Sequence, residues 1–189
     1  MFGMGMVKKS AAREEMGDME SWLVSLSLRF AAEITGTYKE VPQILAATEG
    51  LGFVLHALRR ETYRADEFRA WDAIFEPAVK QMYQVFATTL SAWSDTELDR
   101  PAIARDAENM VSTRNLEYQT LPYLIGAPED RQTVVYAAAR RLAETVEPAR
   151  RDEAIAAADK IFTRLVEIEL PERAAKLERA LYGRRFAAA

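Results

Sequence analysis

Eight large apolar residues recur at steps of three and four between positions 68 and 93. They are Phe68, Trp71, Phe75, Val79, Met82, Phe86, Leu90 and Trp93. Their mean spacing is about 3.6 residues, the period of an α-helix that buries one face. Pro77 lies off this stripe, and the phase continues through it, so the pattern predicts one long helix kinked at Pro77. A stripe of such bulk is expected at the centre of a helical bundle.

The rest of the chain has the same helical spacing, punctuated by seven prolines, and no segment alternates in the manner of a strand. The sequence therefore predicts an all-α fold, a single-domain bundle of seven to nine helices over residues 1–189. A first helix is expected from Ser10 or Asp18 to Thr35, and a last one from Pro171. Residues 1–17 are predicted to be loosely ordered and residues 184–189 to form a frayed tail.

Two glycines, Gly50 and Gly52, fall inside a second predicted helix that begins near Pro42. Each costs roughly 1 kcal/mol relative to alanine in a helix interior. Either this helix breaks at the glycines, or another part of the chain packs closely against it.

Composition excludes several classes of function. The chain contains no cysteine, which removes disulfides, thiolate metal sites and cysteine nucleophiles and suits a reducing compartment, so a cytoplasmic location is expected. The net charge of −4 is divided equally between the two halves of the sequence, which disfavours nucleic-acid binding. The longest uncharged stretch, Gln81 to Ser94, is too short and polar for a transmembrane segment. The N-terminal residues lack the charge-then-apolar order of a secretory signal.

His56 is the only histidine. One histidine cannot supply a di-iron bundle or an ordinary zinc site, so no metal or other cofactor is predicted. A catalytic triad or a haem ligand needs only one and stays open. The simplest interpretation is a histidine at the core or its boundary, bonded to a carbonyl group.

Arg60 and Arg64 are four residues apart, a spacing that could clamp a phosphate or carboxylate. Acidic residues are interleaved with them, which favours a solvated, self-paired helix end. No glycine-rich phosphate loop occurs in the sequence.

Residues 112–126 have a less regular pattern and are predicted to connect two helices. Asn115, Tyr118 and Tyr123 combine hydrogen-bonding groups with apolar surface, a mixture suited to contacts with ligands or partners. The alternative is a turn whose tyrosines cover the edge of the core.

Four functions remain open, and the first, a non-catalytic role, is favoured over the others. The first is a protein-interaction, adaptor or assembly protein, which predicts self-association or an exposed apolar patch of more than a few hundred Å². The second is a domain that binds or senses an apolar small molecule, which predicts a pocket of roughly 300–1,000 Å³ beside the aromatic helix. The third is an enzyme or haem protein that uses His56. The fourth is membrane association through Lys8 and Lys9 or Arg184 and Arg185.

Overall fold

Six continuous helices account for most of the part of the chain that the structure describes. A computed structural model describes residues 3–63, 65, 71–93, 99–122 and 133–182, and the backbone alone for residues 3–13. The helices are α1 (Gly3–Thr37), α2 (Gln43–Thr62), α3 (residues 71–93), α4 (Arg100–Tyr118), α5 (Val134–Ala143) and α6 (residues 151–182). A short 3₁₀ turn, Pro148–Arg150, precedes α6. The described residues contain no strand, so the all-α prediction is confirmed for them.

The predicted number of seven to nine helices is not confirmed within these residues: Pro171, which was expected to begin a separate helix, lies inside α6. Five-residue π-helical turns, Trp71–Phe75 and Leu165–Glu169, begin α3 and interrupt α6. Each ends two residues before a proline, Pro77 or Pro171. A proline removes one backbone donor and clashes with the carbonyl four residues earlier. A wider π turn relieves that clash, so the helix continues through the proline.

Other boundaries also differ from expectation. Helix α1 begins at Gly3, earlier than either predicted start, and ends at Thr37. The predicted frayed tail, residues 184–189, lies outside the described part of the chain. None of the described helices is both long and apolar enough to cross a membrane.

The most enclosed helix is α2, and the prediction of a central kinked helix at Pro77 is not confirmed. Fourteen of the 20 residues of α2 are buried, and they include every residue from Ala46 to Leu58. Helices α1, α4, α5 and the C-terminal part of α6 pack around it. In α3 the stripe faces the core from Trp71 to Leu90, but Trp93 is 37% exposed. A helix that is apolar on all sides belongs at the centre of a fold.

Helix α2 does not break at its glycines, and another helix packs closely against it at Gly50. A Cβ atom on Gly50 would lie 2.8 Å from Cδ1 of Phe30 on α1. The Phe30 ring stacks on Phe162 of α6 at 4.5 Å between centroids, and Phe53 of α2 packs on the same Phe162 ring at 4.3 Å. Gly50 therefore lets α1, α2 and α6 meet around one aromatic cluster.

Replacing Gly50 with alanine tests this close approach. The added methyl group must displace a buried, stacked ring, so Gly50→Ala is expected to lower the free energy of unfolding by about 1–3 kcal/mol. Urea denaturation measures the change. The matched control is Gly17→Ala on α1, where a Cβ meets no atom within 4 Å and helix propensity alone should add about 1 kcal/mol. Equal gains in stability from the two variants would show that the Phe30 ring does not require Gly50.

Candidate functional site

Three of the residues singled out from the sequence meet between α2 and α4. His56 is buried at 4% exposure, and its Nδ1 lies 2.9 Å from the amide oxygen of Asn115. The edge of the Tyr118 ring contacts the imidazole, with centroids 5.3 Å apart. Because the amide oxygen faces Nδ1, that nitrogen donates the hydrogen bond. His56 thus has the buried, carbonyl-bonded environment of the simplest sequence interpretation.

The predicted irregularity of residues 112–126 was wrong for its first half. Helix α4 continues to Tyr118, and residues 119–122 form turns. Ala107, Val111, Asn115 and Tyr118 follow one another at helical steps on the face that meets α2. A polar asparagine in this row interrupts the apolar pattern, which is why the sequence appeared irregular there. Tyr118 is fully buried rather than at the edge of the core.

Arg60 lies close to this group but contacts the backbone. Its Nη1 donates a hydrogen bond to the carbonyl oxygen of Leu121, 2.8 Å away, just beyond the end of α4. Arg64 and Tyr123, which the sequence also singled out, lie outside the described residues.

A cleft of about 760 Å³ opens beside His56, between α2, the beginning of α3 and α4. Its described lining residues are His56, Arg59, Arg60, Tyr63, Trp71, Glu76, Ser112, Asn115, Leu116 and Gln119. Two aromatic rings and a leucine, Tyr63, Trp71 and Leu116, line it together with polar and charged side chains. Apolar surface with convergent polar groups is found in small-molecule sites. Sequence reasoning did not identify Arg59 or Glu76 as site residues, since alternating charges near a helix end usually face solvent.

Glu76, at the start of the regular part of α3, joins the walls of the cleft. Nη2 of Arg59 donates to both carboxylate oxygens of Glu76, at 3.1 and 3.2 Å. The indole Nε1 of Trp71 donates to one of these oxygens at 3.0 Å. The Tyr63 ring meets Trp71 edge-on at 5.5 Å, and Trp71 stacks on Phe75 at 3.9 Å. The carboxylate therefore ties the end of α2 to the beginning of α3.

Burial lowers the pKa of His56 below its ordinary value of 6.5. The hydrogen bond with Asn115 opposes this shift, while repulsion from Arg60 and Arg59 adds to it. At neutral pH the imidazole is therefore uncharged, with one nitrogen that donates a hydrogen bond and one that accepts. The uncharged imidazole of His56 is therefore suited to hydrogen bonds with polar groups rather than to an ion pair.

Behind the cleft, Glu49 of α2 is completely buried. Nε and Nη2 of Arg114 donate to its Oε1 at 2.9 and 2.7 Å. Nη1 of Arg141, from α5, lies 3.7 Å from Oε2. Burial alone would lower the pKa of Arg114, but hydrogen bonding and attraction from Glu49 outweigh it and raise that pKa. The buried charge is thus compensated from two other helices, as burial of a carboxylate requires.

Tyr118 connects this ionic group to the cleft. Its hydroxyl accepts a hydrogen bond from Nη1 of Arg141 at 2.8 Å, and its ring contacts His56 on the other side. Arg141 also pairs with Glu117, one residue before Tyr118. Burial, together with Glu49, raises the pKa of Tyr118, so its hydroxyl stays protonated. The position of His56 in the cleft is therefore coupled to the contact between α4 and α5.

The described residues contain no group of three or more histidine and acidic side chains that could hold a metal ion. No protein-family model, no curated protein and no solved structure matches the chain. Inference about function therefore rests on the cleft and its surroundings.

Removal of the buried charge should destabilise the fold. Glu49→Gln keeps the shape of the side chain but leaves Arg114 and Arg141 without a carboxylate, so unfolding free energy should fall by about 3 kcal/mol. Glu117→Gln is the matched control. Glu117 pairs with the same two arginines, but its side chain is 44% exposed, so this substitution should lower the free energy of unfolding by at most about 1 kcal/mol. Urea denaturation compares the two, and equal losses would contradict the role given to Glu49.

The titration of His56 can be followed without ambiguity by NMR, since it is the only histidine. Its pKa is expected below 6.5, and Arg60→Gln should raise it by removing a repulsive charge. Because the folded state binds this proton less readily, stability is complete above pH 6.5 and declines as pH falls toward the folded pKa. Arg105→Gln, an exposed arginine on α4, serves as the control. A pKa at or above 6.5 in the folded protein would refute the buried, neutral state.

Proposed function

We propose that this chain binds a small, flat, largely apolar molecule in the cleft between α2, α3 and α4. The observation that carries the proposal is the cleft itself, with a volume of about 760 Å³. That volume lies within the roughly 300–1,000 Å³ typical of ligand pockets. The cleft lies beside the aromatic stripe of α3, where the small-molecule hypothesis predicts a pocket.

The chemistry of the walls supports a flat ligand. Tyr63 and Trp71 meet edge-on at one side of the cleft, and rings of this kind contact planar apolar molecules well. On the opposite side, His56 and Asn115 are held by each other, so any polar group they recognise meets donors and acceptors in fixed positions. A few fixed polar groups within an apolar wall give orientation and specificity.

The cleft also has a stable framework. Three of its lining residues, His56, Arg59 and Arg60, extend from α2, the most enclosed helix. Ser112 and Asn115 extend from α4, which the Glu49–Arg114 ion pair fixes to α2. A site that is formed before binding loses little affinity to conformational ordering.

A protein partner is the second candidate, and two residues at the cleft favour it. Leu116 is 68% exposed and Tyr63 is 50% exposed, and both line the cleft. The other large exposed apolar side chains of the described residues are Ile44, Trp93 and Ile168. Ile44 and Tyr63 lie at opposite ends of α2, about 30 Å apart, so these residues do not form one patch. Self-association remains a prediction. A cytoplasmic location also remains a prediction, which the lack of cysteine supports.

Filling the cleft should abolish binding. The probe is N-phenyl-1-naphthylamine, a neutral aromatic amine whose fluorescence increases in apolar surroundings. Wild-type protein is expected to bind it at one site per chain. Ser112 is an exposed residue that lines the cleft, so Ser112→Trp should weaken binding at least about tenfold, a loss of roughly 1.4 kcal/mol.

The matched control is Thr113→Trp, which adds the same side chain to the next exposed position of α4, outside the described lining of the cleft. It should leave the dissociation constant unchanged. Circular dichroism shows whether both variants keep the helical fold. Absence of probe binding to wild-type protein, or equal weakening by the two tryptophans, would overturn the proposal.

A further inference from the structure

We infer that the ligand of the cleft carries a carboxylate, and that Glu76 stands where this carboxylate binds. The inference rests on the proposed function and adds the chemical class of the ligand, an aromatic carboxylate. It is carried by the contacts among Arg59, Glu76 and Trp71.

The Arg59–Glu76 pair does not use the guanidinium fully. Both oxygens of Glu76 accept from the same nitrogen, Nη2, at 3.1 and 3.2 Å. The strongest pairing of arginine with a carboxylate uses two nitrogens, each bonded to one oxygen. Nε of Arg59 is buried and has no hydrogen-bond partner among the described residues. A planar anion that takes the place of Glu76 and bonds two nitrogens of Arg59 makes a better pair than Glu76 does.

Replacing the carboxylate of Glu76 at Arg59 with that of a ligand costs little free energy. The side chain of Glu76 is 38% exposed and that of Arg59 is 20% exposed. Partly exposed pairs of this kind contribute little net stability. Once displaced, Glu76 can be hydrated at the surface, so release of this side chain leaves no buried charge behind.

The neighbouring groups complete the match to an aromatic acid. Nε1 of Trp71 already donates to a carboxylate oxygen, at 3.0 Å, and can donate equally to an oxygen of a ligand. The rings of Trp71 and Tyr63 lie next to this point. A carboxylate bound to Arg59 therefore places its aromatic body against these two rings.

The test compares 2-naphthoate with 2-naphthamide, which share a shape and differ in charge. Wild-type protein should bind the naphthoate about tenfold more tightly, the difference between a charged and a neutral hydrogen-bonded pair. Glu76→Gln removes the competing anion and should tighten naphthoate binding several-fold, so that the preference for naphthoate over naphthamide increases. Arg59→Gln should abolish the preference for naphthoate. Isothermal titration calorimetry measures all three proteins.

Asp72→Asn is the charge-matched control for Glu76→Gln. Asp72 is an exposed acid one turn earlier in α3 and is not part of the described lining, so its removal should leave the affinity for naphthoate unchanged. If Arg59→Gln does not fold, the change in naphthoate affinity between wild-type protein and Glu76→Gln tests the inference by itself.

The outcomes separate the two proposals. Binding of naphthamide as tight as that of naphthoate, or weaker naphthoate binding by Glu76→Gln, would overturn the carboxylate inference and leave the cleft as a binding site. Failure of both compounds and of N-phenyl-1-naphthylamine to bind wild-type protein would overturn the proposed function itself.

Discussion

The buried carboxylate of Glu49 constrains how the helices of this protein come together. Transfer of a carboxylate from water to a protein interior costs several kcal/mol unless cations and hydrogen bonds replace the lost hydration. Arg114 supplies two hydrogen bonds from α4, and Arg141 approaches from α5. Helices α2, α4 and α5 must therefore meet at this point. Since Arg141 also holds the hydroxyl of Tyr118, the same requirement positions the ring that contacts His56, and with it one wall of the cleft.

The enclosure of α2 explains why each of its four buried polar residues, Thr48, Glu49, His56 and Thr62, makes a hydrogen bond. Thr48 and Thr62 donate to carbonyl oxygens one turn earlier in the same helix, a bond that any buried helix can provide. Glu49 and His56 cannot be satisfied locally, so each has a partner on α4, Arg114 or Asn115. These two contacts lie almost two turns apart on α2 and one residue apart on α4. The pairs that permit burial of α2 therefore also set how α4 lies against it.

Sequence periodicity was enough to predict the all-α class and much of the core, because burial of one face leaves a regular apolar pattern. It did not identify the central helix, since an enclosed helix such as α2 has no single stripe. It did not predict continuity through Pro171 either, because a π turn has no sequence pattern that separates it from a helix end. His56, Asn115 and Tyr118 were singled out individually, but their meeting depends on how two helices pack. Glu49 and Arg114 were missed because a charge on a helix usually faces solvent.

The walls of the cleft differ in what holds them. Helices α2 and α4 are joined by an ion pair whose carboxylate, Glu49, is fully buried, so its disruption would leave an uncompensated charge in the interior. The beginning of α3 is joined to α2 through Arg59 and Glu76, whose side chains are partly exposed, and through ring contacts of Trp71. Exchange of partners is therefore far less costly at the α3 wall than at the α2–α4 wall. Under the proposed function, the rigid wall with His56 and Asn115 orients the ligand. The charge of the ligand is selected at the α3 wall, where the carboxylate of Glu76 already pairs with the guanidinium of Arg59.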